Sequence, residues 1–96
     1  MQIDLKNINV IHNAVDHRFE VHIAGKVAVS NYDLQGNTIS FYHVGVPPEL
    51  ENQGIGSLLA QTGLEYAREQ SYKVVAACPF VAAHVQRHPE YDDLLK

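Results

Sequence analysis

The sequence predicts an α+β fold: a mixed, mainly antiparallel sheet closed by a βαβ crossover, with two helices. Three observations carry this. Apolar and polar residues alternate from about residue 19 to 44 with turn-forming pairs between them, apolar residues recur at helical spacing from about 52 to 70, and a short β-branched apolar run follows at 72–78.

Taken in order, residues 7–15 offer an edge strand that breaks at the turn-like Asn13-Ala14-Val15-Asp16. Phe19, Val21 and Ile23 then alternate with Glu20, His22 and Ala24, the period of a half-buried strand, and Gly25-Lys26 provides a tight turn. A second strand runs from about Val27 to Tyr32. Asp33-Leu34-Gln35-Gly36-Asn37 is turn chemistry, and β-branched and aromatic residues resume from Thr38 to Val44. These three strands form an antiparallel meander. From about Asn52 to Gln70, Ile55, Leu58, Leu59, Thr62, Tyr66 and Ala67 face one side of a helix, with Gln61, Glu65, Arg68 and Glu69 left for solvent. Tyr72 to Cys78, with Val74 and Val75 at its centre, reads as a buried strand ended by Pro79. Phe80 to Arg87 forms a short closing helix stopped by His88-Pro89. Strands 38–44 and 73–78 are then parallel neighbours joined by a right-handed crossover.

At 96 residues the chain fits a single domain, 1–96, with one modest core. Hydrophobic residues make up 46% and charged residues 19%, an ordinary globular balance that leaves no disordered or repetitive tract. The formal charge is −4 and the 7 Lys and Arg residues are scattered, so no basic stripe gathers nucleic-acid phosphates. The N-terminal MQIDLKNINV has no basic segment followed by an apolar run, and no stretch is long enough to span a bilayer; no membrane partner and a cytoplasmic location are expected. The single cysteine, Cys78, forms no internal disulfide, which fits a reducing compartment.

The chemistry-bearing stretch is Gln53-Gly54-Ile55-Gly56-Ser57, at the entrance of the crossover helix. Ligands of such units bind beyond the carboxyl ends of the parallel strands, and the first turn of a helix offers N–H groups without intrahelical partners. Glycines let the backbone approach an oxyanion closely, so the loop reads as a phosphate site. The competing reading is that Gly54 and Gly56 only shape a turn. His84 and His88, four apart, have the spacing of metal ligands on one helix face. Val85-Gln86-Arg87 between them and the lack of a third ligand favour solvation at a helix end, and no metal is expected. His12, His17 and His22 show no convergent spacing.

Residues 46–91, VPPELENQGIGSLLAQTGLEYAREQSYKVVAACPFVAAHVQRHPEY, resemble the Gcn5-related N-acetyltransferases, particularly their very small YjdJ-like members. That superfamily places Gln or Arg, two residues, Gly, one residue, and Gly or Ala at the loop holding the acetyl-CoA pyrophosphate. Here the run is Glu51-Asn52-Gln53-Gly54-Ile55-Gly56: the glycines match and the first position does not. The "VP" pair before the loop, "LEYAR" late in the helix, one Cys after a valine-rich strand and "HPEY" near the end add specificity.

The resemblance implies a minimal acetyltransferase-like fold that binds acetyl-CoA where the two parallel strands splay. Backbone amides from Gln53 to Ser57 would hold the pyrophosphate, and Val44 belongs to the same cofactor site. Transfer to an amine needs a base, an acid for the departing thiolate and a polarised carbonyl. Cys78, at the carboxyl end of its strand, is the candidate acid or nucleophile, against burial as a small apolar residue. His43, near the end of the preceding parallel strand, is the candidate base, since histidine titrates near neutral pH; a structural role is the alternative. Small relatives tend to read His-Thr-Glu there, whereas this chain reads His43-Val44-Gly45. Tyr66 and Tyr72 read as packing residues, although a tyrosine serves as acid in many larger relatives. The expected function is an acetyl-CoA-dependent N-acyltransferase. The final strands of larger relatives are missing, so the acceptor site should be open, suiting an amine on a protein or polyamine, or completed by a second copy in a homodimer. The rival is a CoA-binding or interaction module with little turnover.

Overall fold

The computed structural model describes residues 5–95. Short strand β1 (Ile11–Asn13) is followed by β2 (Arg18–Ile23), β3 (Lys26–Gln35), β4 (Thr38–Gly45), helix α1 (Ile55–Glu69), β5 (Lys73–Ala76) and helix α2 (Pro79–Arg87). Three 3₁₀ turns, Leu5–Asn7, Pro48–Leu50 and Pro89–Leu95, complete the described chain. The strands lie in one sheet in sequence order; every pairing is antiparallel except β4 with β5, which are parallel across the α1 crossover.

Local chemistry explains most boundaries. Ile23 pairs with Lys26, so the β2–β3 loop is Ala24-Gly25 rather than Gly25-Lys26, and both residues take positive φ (51° and 77°), as a type I′ hairpin turn demands. The expected five-residue turn at 33–37 is only Gly36-Asn37: Asp33, Leu34 and Gln35 pair with Ser40, Ile39 and Thr38, and Gly36 alone supplies the positive φ of 59°. The main helix starts at Ile55, not Asn52, because Asn52 (φ 64°) and Gly54 (φ 87°) are left-handed. β5 is shorter than residues 72–78, and the 3₁₀ turn after α2 was not legible in the sequence.

Helices α1 and α2 pack on the same face of the sheet. Phe19, Val21, Ala28, Tyr32, Ile39, Phe41 and Val74 meet Ile55, Leu59, Leu64, Ala67, Val81 and Val85 in one core. Gly63 sets how close α1 comes: a Cβ there would lie 2.7 Å from Phe41 Cε1. Tyr91 donates to Glu65 (2.6 Å), and Arg68 pairs with Asp93 (2.9 Å) and donates to the Glu90 carbonyl (2.6 Å), fastening the last 3₁₀ turn to α1.

Four polar side chains depart from the sequence reading. Glu20, expected on the solvated side of its strand, is buried, accepting from His22 (2.8 Å), Asn13 (3.1 Å) and Arg18. The His22, Arg18 and Asn13 bonds, in that order, hold its carboxyl at about 2. His12 bonds the Tyr32 hydroxyl (2.7 Å) and His17 stacks on the same ring, so two of the scattered histidines do converge. His84, expected to be solvated, is 2% exposed, because it lies three residues after Val81 on the inward face of α2, with neither ring nitrogen hydrogen-bonded. Its ring stacks on His88 at 4.3 Å. Tyr66 packs edge-on to His12 and Phe19, as a packing residue should.

Burial lowers the pKa of His84, helped by His88 and Arg87, and that of His12, helped by His17, below the ordinary 6.5. The unfolded chain therefore takes up these protons at a pH where the native chain does not, and stability present above 6.5 is lost as pH falls through that value. Denaturant unfolding between pH 8 and 5 should show this decline, and His84→Leu should make it shallower. An identical slope in the variant would contradict the assignment.

Candidate functional site

The site begins with a slip of register. Tyr32 pairs with Phe41 but the preceding Asn31 pairs with His43, so Tyr42 is an extra residue, a β-bulge in β4. Its consequence lies on the β5 side. The last parallel pair is Phe41 with Ala76, and the Cys78 N–H closes the ladder on the Phe41 carbonyl (2.9 Å). Beyond that point β4 runs on to Gly45 while the other chain turns at Pro79 into α2, so the two strands part.

Next to this parting lies a cleft of about 560 Å³. Val44, Gly45 and Val46 line it from β4 and its extension, Leu50 to Asn52 from the following loop, Gly54 to Ser57 from the start of α1, and Phe80 from α2. Buried Leu50, its N–H on the Pro47 carbonyl (2.8 Å), anchors the loop. No side chain caps α1, and its first intrahelical bond runs from Leu58 N–H to the Gly54 carbonyl (3.0 Å). The N–H groups of Ile55, Gly56 and Ser57 therefore have no intrahelical acceptor at the cleft.

The two glycines answer to different constraints. Gly54 takes φ 87°, a left-handed conformation that disfavours a side chain, and a Cβ would also lie 2.9 Å from Leu5 Cδ1. Gly56 is ordinary helix; a Cβ there would lie 2.8 Å from the tip of the Phe80 ring.

Of the expected cofactor residues, Val44, Gly54, Ile55, Gly56 and Ser57 line the cleft; Gln53 is half-buried and does not. Leu50, Asn52, Val46, Gly45 and Phe80 line it without having been singled out, since only the loop's course and the α1–α2 contact bring them there. Among the described residues, Glu51 is the one charged side chain in the lining. Nearby, Lys26 pairs with Glu49 (2.9 Å), a hydrogen bond that lowers the Glu49 carboxyl from its ordinary value.

Cys78 is 7% exposed, part of the core, at the N-cap of α2 where the parallel ladder ends. His43 is exposed. Because Tyr32 faces the core, its neighbour Asn31, and with it the paired His43, lies on the sheet face away from α1. The His43 imidazole rests on Gly45, with Nε2 2.8 Å from where a Cβ would sit. No hydrogen bond joins His43 to Cys78. Among the described residues, no group of three or more His, Cys, Asp or Glu side chains is placed to hold a metal ion, and no helix is long and apolar enough to cross a membrane.

A strand bulge, parted parallel strands and an open helix entrance are matched at the level of sequence. A family model for GCN5-related N-acetyl-transferase matches residues 18–94. The chain belongs to that family. It is 27% identical over 86 residues to Protein NATD1 of Xenopus tropicalis, covering 86% of this chain and 79% of that protein. The NMR solution structure of a Staphylococcus aureus protein assigned as a GCN5-like N-acetyltransferase matches it with a TM-score of 0.72 and 27% identity, over 94% of this chain and 89% of the other. The GCN5-related match covers β2 to the last 3₁₀ turn, and so includes both halves of the cleft.

Proposed function

We propose that this GCN5-related chain transfers an acetyl group from acetyl-CoA to an amine. The observation that carries the reading is the row of partnerless N–H groups at Ile55, Gly56 and Ser57, facing a cleft beside the parting of β4 and β5. Such donors, with the partial positive charge of the helix start, suit a pyrophosphate; the Glu51 carboxylate opposes it.

When bound, acetyl-CoA supplies the acetyl thioester. The chain's own groups do the rest. Gly54 to Ser57 hold the phosphates, and Val44 flanks the arm that leads toward the end of the parallel ladder. His43, on the opposite sheet face, meets an amine arriving from solvent and takes its proton. Cys78, at the ladder's end, gives a proton to the departing thiolate. The acceptor class is an amine on a small molecule or a protein. A second reading, a CoA-binding module with little turnover, draws on one observation: among the described residues, no side chain hydrogen-bonds and orients the His43 ring. Acetyl transfer to a panel of polyamines and lysine peptides, measured beside CoA affinity, separates the two. Transfer supports the enzyme, binding without transfer supports the module, and neither binding nor transfer overturns both.

Glu51 gives a sharper electrostatic test. At a separation of about 7 Å, its charge repels each phosphate charge by about 0.6 kcal/mol in the water limit and about 2.4 kcal/mol at an effective dielectric of about 20. Glu51 is exposed, which favours the lower figure. Glu51→Gln should tighten CoA binding severalfold and Glu51→Arg further, with the gain shrinking at high salt. Calorimetry at two ionic strengths showing equal or weaker binding would defeat the idea.

A further inference from the structure

Helices α1 and α2 cover one face of the sheet, and the face they leave uncovered carries a charge network that acetyl transfer does not use. Arg18, Glu20 and His22 alternate with the core residues Phe19 and Val21, so all three belong to the uncovered face of β2. Glu20 is nevertheless only 6% exposed. Its carboxylate accepts from His22 Nε2 (2.8 Å), Asn13 Nδ2 (3.1 Å) and Arg18 Nε, and these three donors hold it in place as an ion. A fixed carboxylate that takes one nitrogen of a guanidinium aims the rest of it. Among the described residues, Glu20 is the one ion-pair partner of Arg18, no hydrogen bond takes Nη1 or Nη2, and the side chain keeps 37% of its surface open to solvent. Asp16 adds its negative charge nearby without forming an ion pair. A guanidinium held this way offers N–H groups in the fork that suits a carboxylate.

The register shows what the fork stands beside. Arg18 pairs with Asn31 and Asn31 pairs with His43, so the three form one row across β2, β3 and β4 on the uncovered face. Two strand spacings, about 10 Å, separate Arg18 from His43. The bulge makes this row: without the extra residue Tyr42 would stand opposite Asn31, and His43 would turn to the core side. We propose that Arg18 is an acceptor-specificity residue: the preferred substrate is an amine whose own molecule carries a carboxylate about 10 Å from the reacting nitrogen, docking the carboxylate on Arg18 while the nitrogen meets His43. This rests on the acetyl-transfer reading, in which His43 takes the amine's proton. A linear ω-amino acid and a lysine peptide with an acidic neighbour share that chemistry. A polyamine does not, because its second cation meets Arg18 with like charge.

The test is steady-state acetyl transfer by the 96-residue chain to two matched pairs of acceptors: 8-aminooctanoate against 1,8-diaminooctane, and lysine peptides with Glu against Gln two residues from the acceptor lysine. In at least one pair the carboxylate-bearing member should have a kcat/KM roughly three- to tenfold higher, the gain lying in KM and shrinking at high salt. Arg18→Gln should bring that ratio to about one, Arg18→Lys should restore part of it, and CoA affinity should stay within about twofold in both. A preference seen with the amino acid supports a small-molecule acceptor, and one seen with the peptide supports a protein. Equal use of both members of each pair by the parent chain would overturn the proposal, a comparison that needs no variant to fold. So would a preference that survives in Arg18→Gln, with thermal unfolding confirming that the variant is folded. Transfer without discrimination defeats only this inference, whereas transfer to none of the four acceptors defeats the acetyl-transfer reading as well.

Discussion

Replacing His43 by glutamine should lower the rate of acetyl transfer by about 10²- to 10⁴-fold while leaving CoA affinity within about twofold. The side chain is exposed on the sheet face away from α1 and does not line the cleft, so under the proposed mechanism its loss would remove a proton acceptor without removing a ligand contact. Gly45 belongs to the same device. Its missing side chain lets the imidazole lie against the strand, and Gly45→Ala should displace the ring and lower kcat in the same direction. Cys78→Ala should likewise preserve CoA binding and reduce kcat. The parent chain should show no acetylated cysteine by mass spectrometry, because Cys78 acts in this account as an acid; an adduct lost in Cys78→Ala would make it the nucleophile instead. Unchanged kcat in His43→Gln would remove the base from the mechanism, and unchanged kcat in Cys78→Ala would return the thiol to the core.

The largest structural effect is expected at Gly63. A Cβ there meets Phe41 at 2.7 and 2.9 Å, and Phe41 is 2% exposed in a strand paired on both sides, so its ring has nowhere to go. Gly63→Val should cost about 1–3 kcal/mol through overpacking, more than the gain in helix propensity returns. For a domain of this size that lowers Tm by roughly 5–20 °C. Denaturant unfolding of Gly63→Val beside Gly63→Val/Phe41→Leu checks the mechanism, since the smaller leucine should relieve part of the loss. A variant as stable as the parent would refute the close approach of α1 to β4.

What the sequence disclosed was what is set locally. The alternation of Phe19, Val21 and Ile23, the helical recurrence from Ile55 to Ala67 and the Val74-Val75 run each declare an element from within its own span, and together they fix the βαβ unit and the place of the Gly54–Gly56 loop. What it concealed depends on contacts between distant residues. Tyr42 becomes a bulge only against the register of β3, and that slip sends His43 to the far face. Glu20 looks like any outward strand residue until Asn13, Arg18 and His22 close over it. Gly56 read as a phosphate contact or a turn former, and only the structure shows that Phe80, twenty-four residues on, occupies the space its side chain would need. The turn at Gly36-Asn37 was overestimated because Asp33 is a common turn residue close to Gly36 and Asn37, yet the pairing of Asp33 and Gln35 with Ser40 and Thr38 extends the hairpin.

The account turns on the entrance of α1 as the place where the phosphates of CoA are held. Amide chemical shifts of the 96-residue chain, followed by ¹⁵N–¹H NMR as CoA is added, test that most directly. The largest changes should fall on Gly54, Ile55, Gly56 and Ser57, with smaller ones at Val44 and Phe80. A silent loop, with the largest changes elsewhere, for instance around Arg68 and Lys73 at the other end of the crossover, would contradict it.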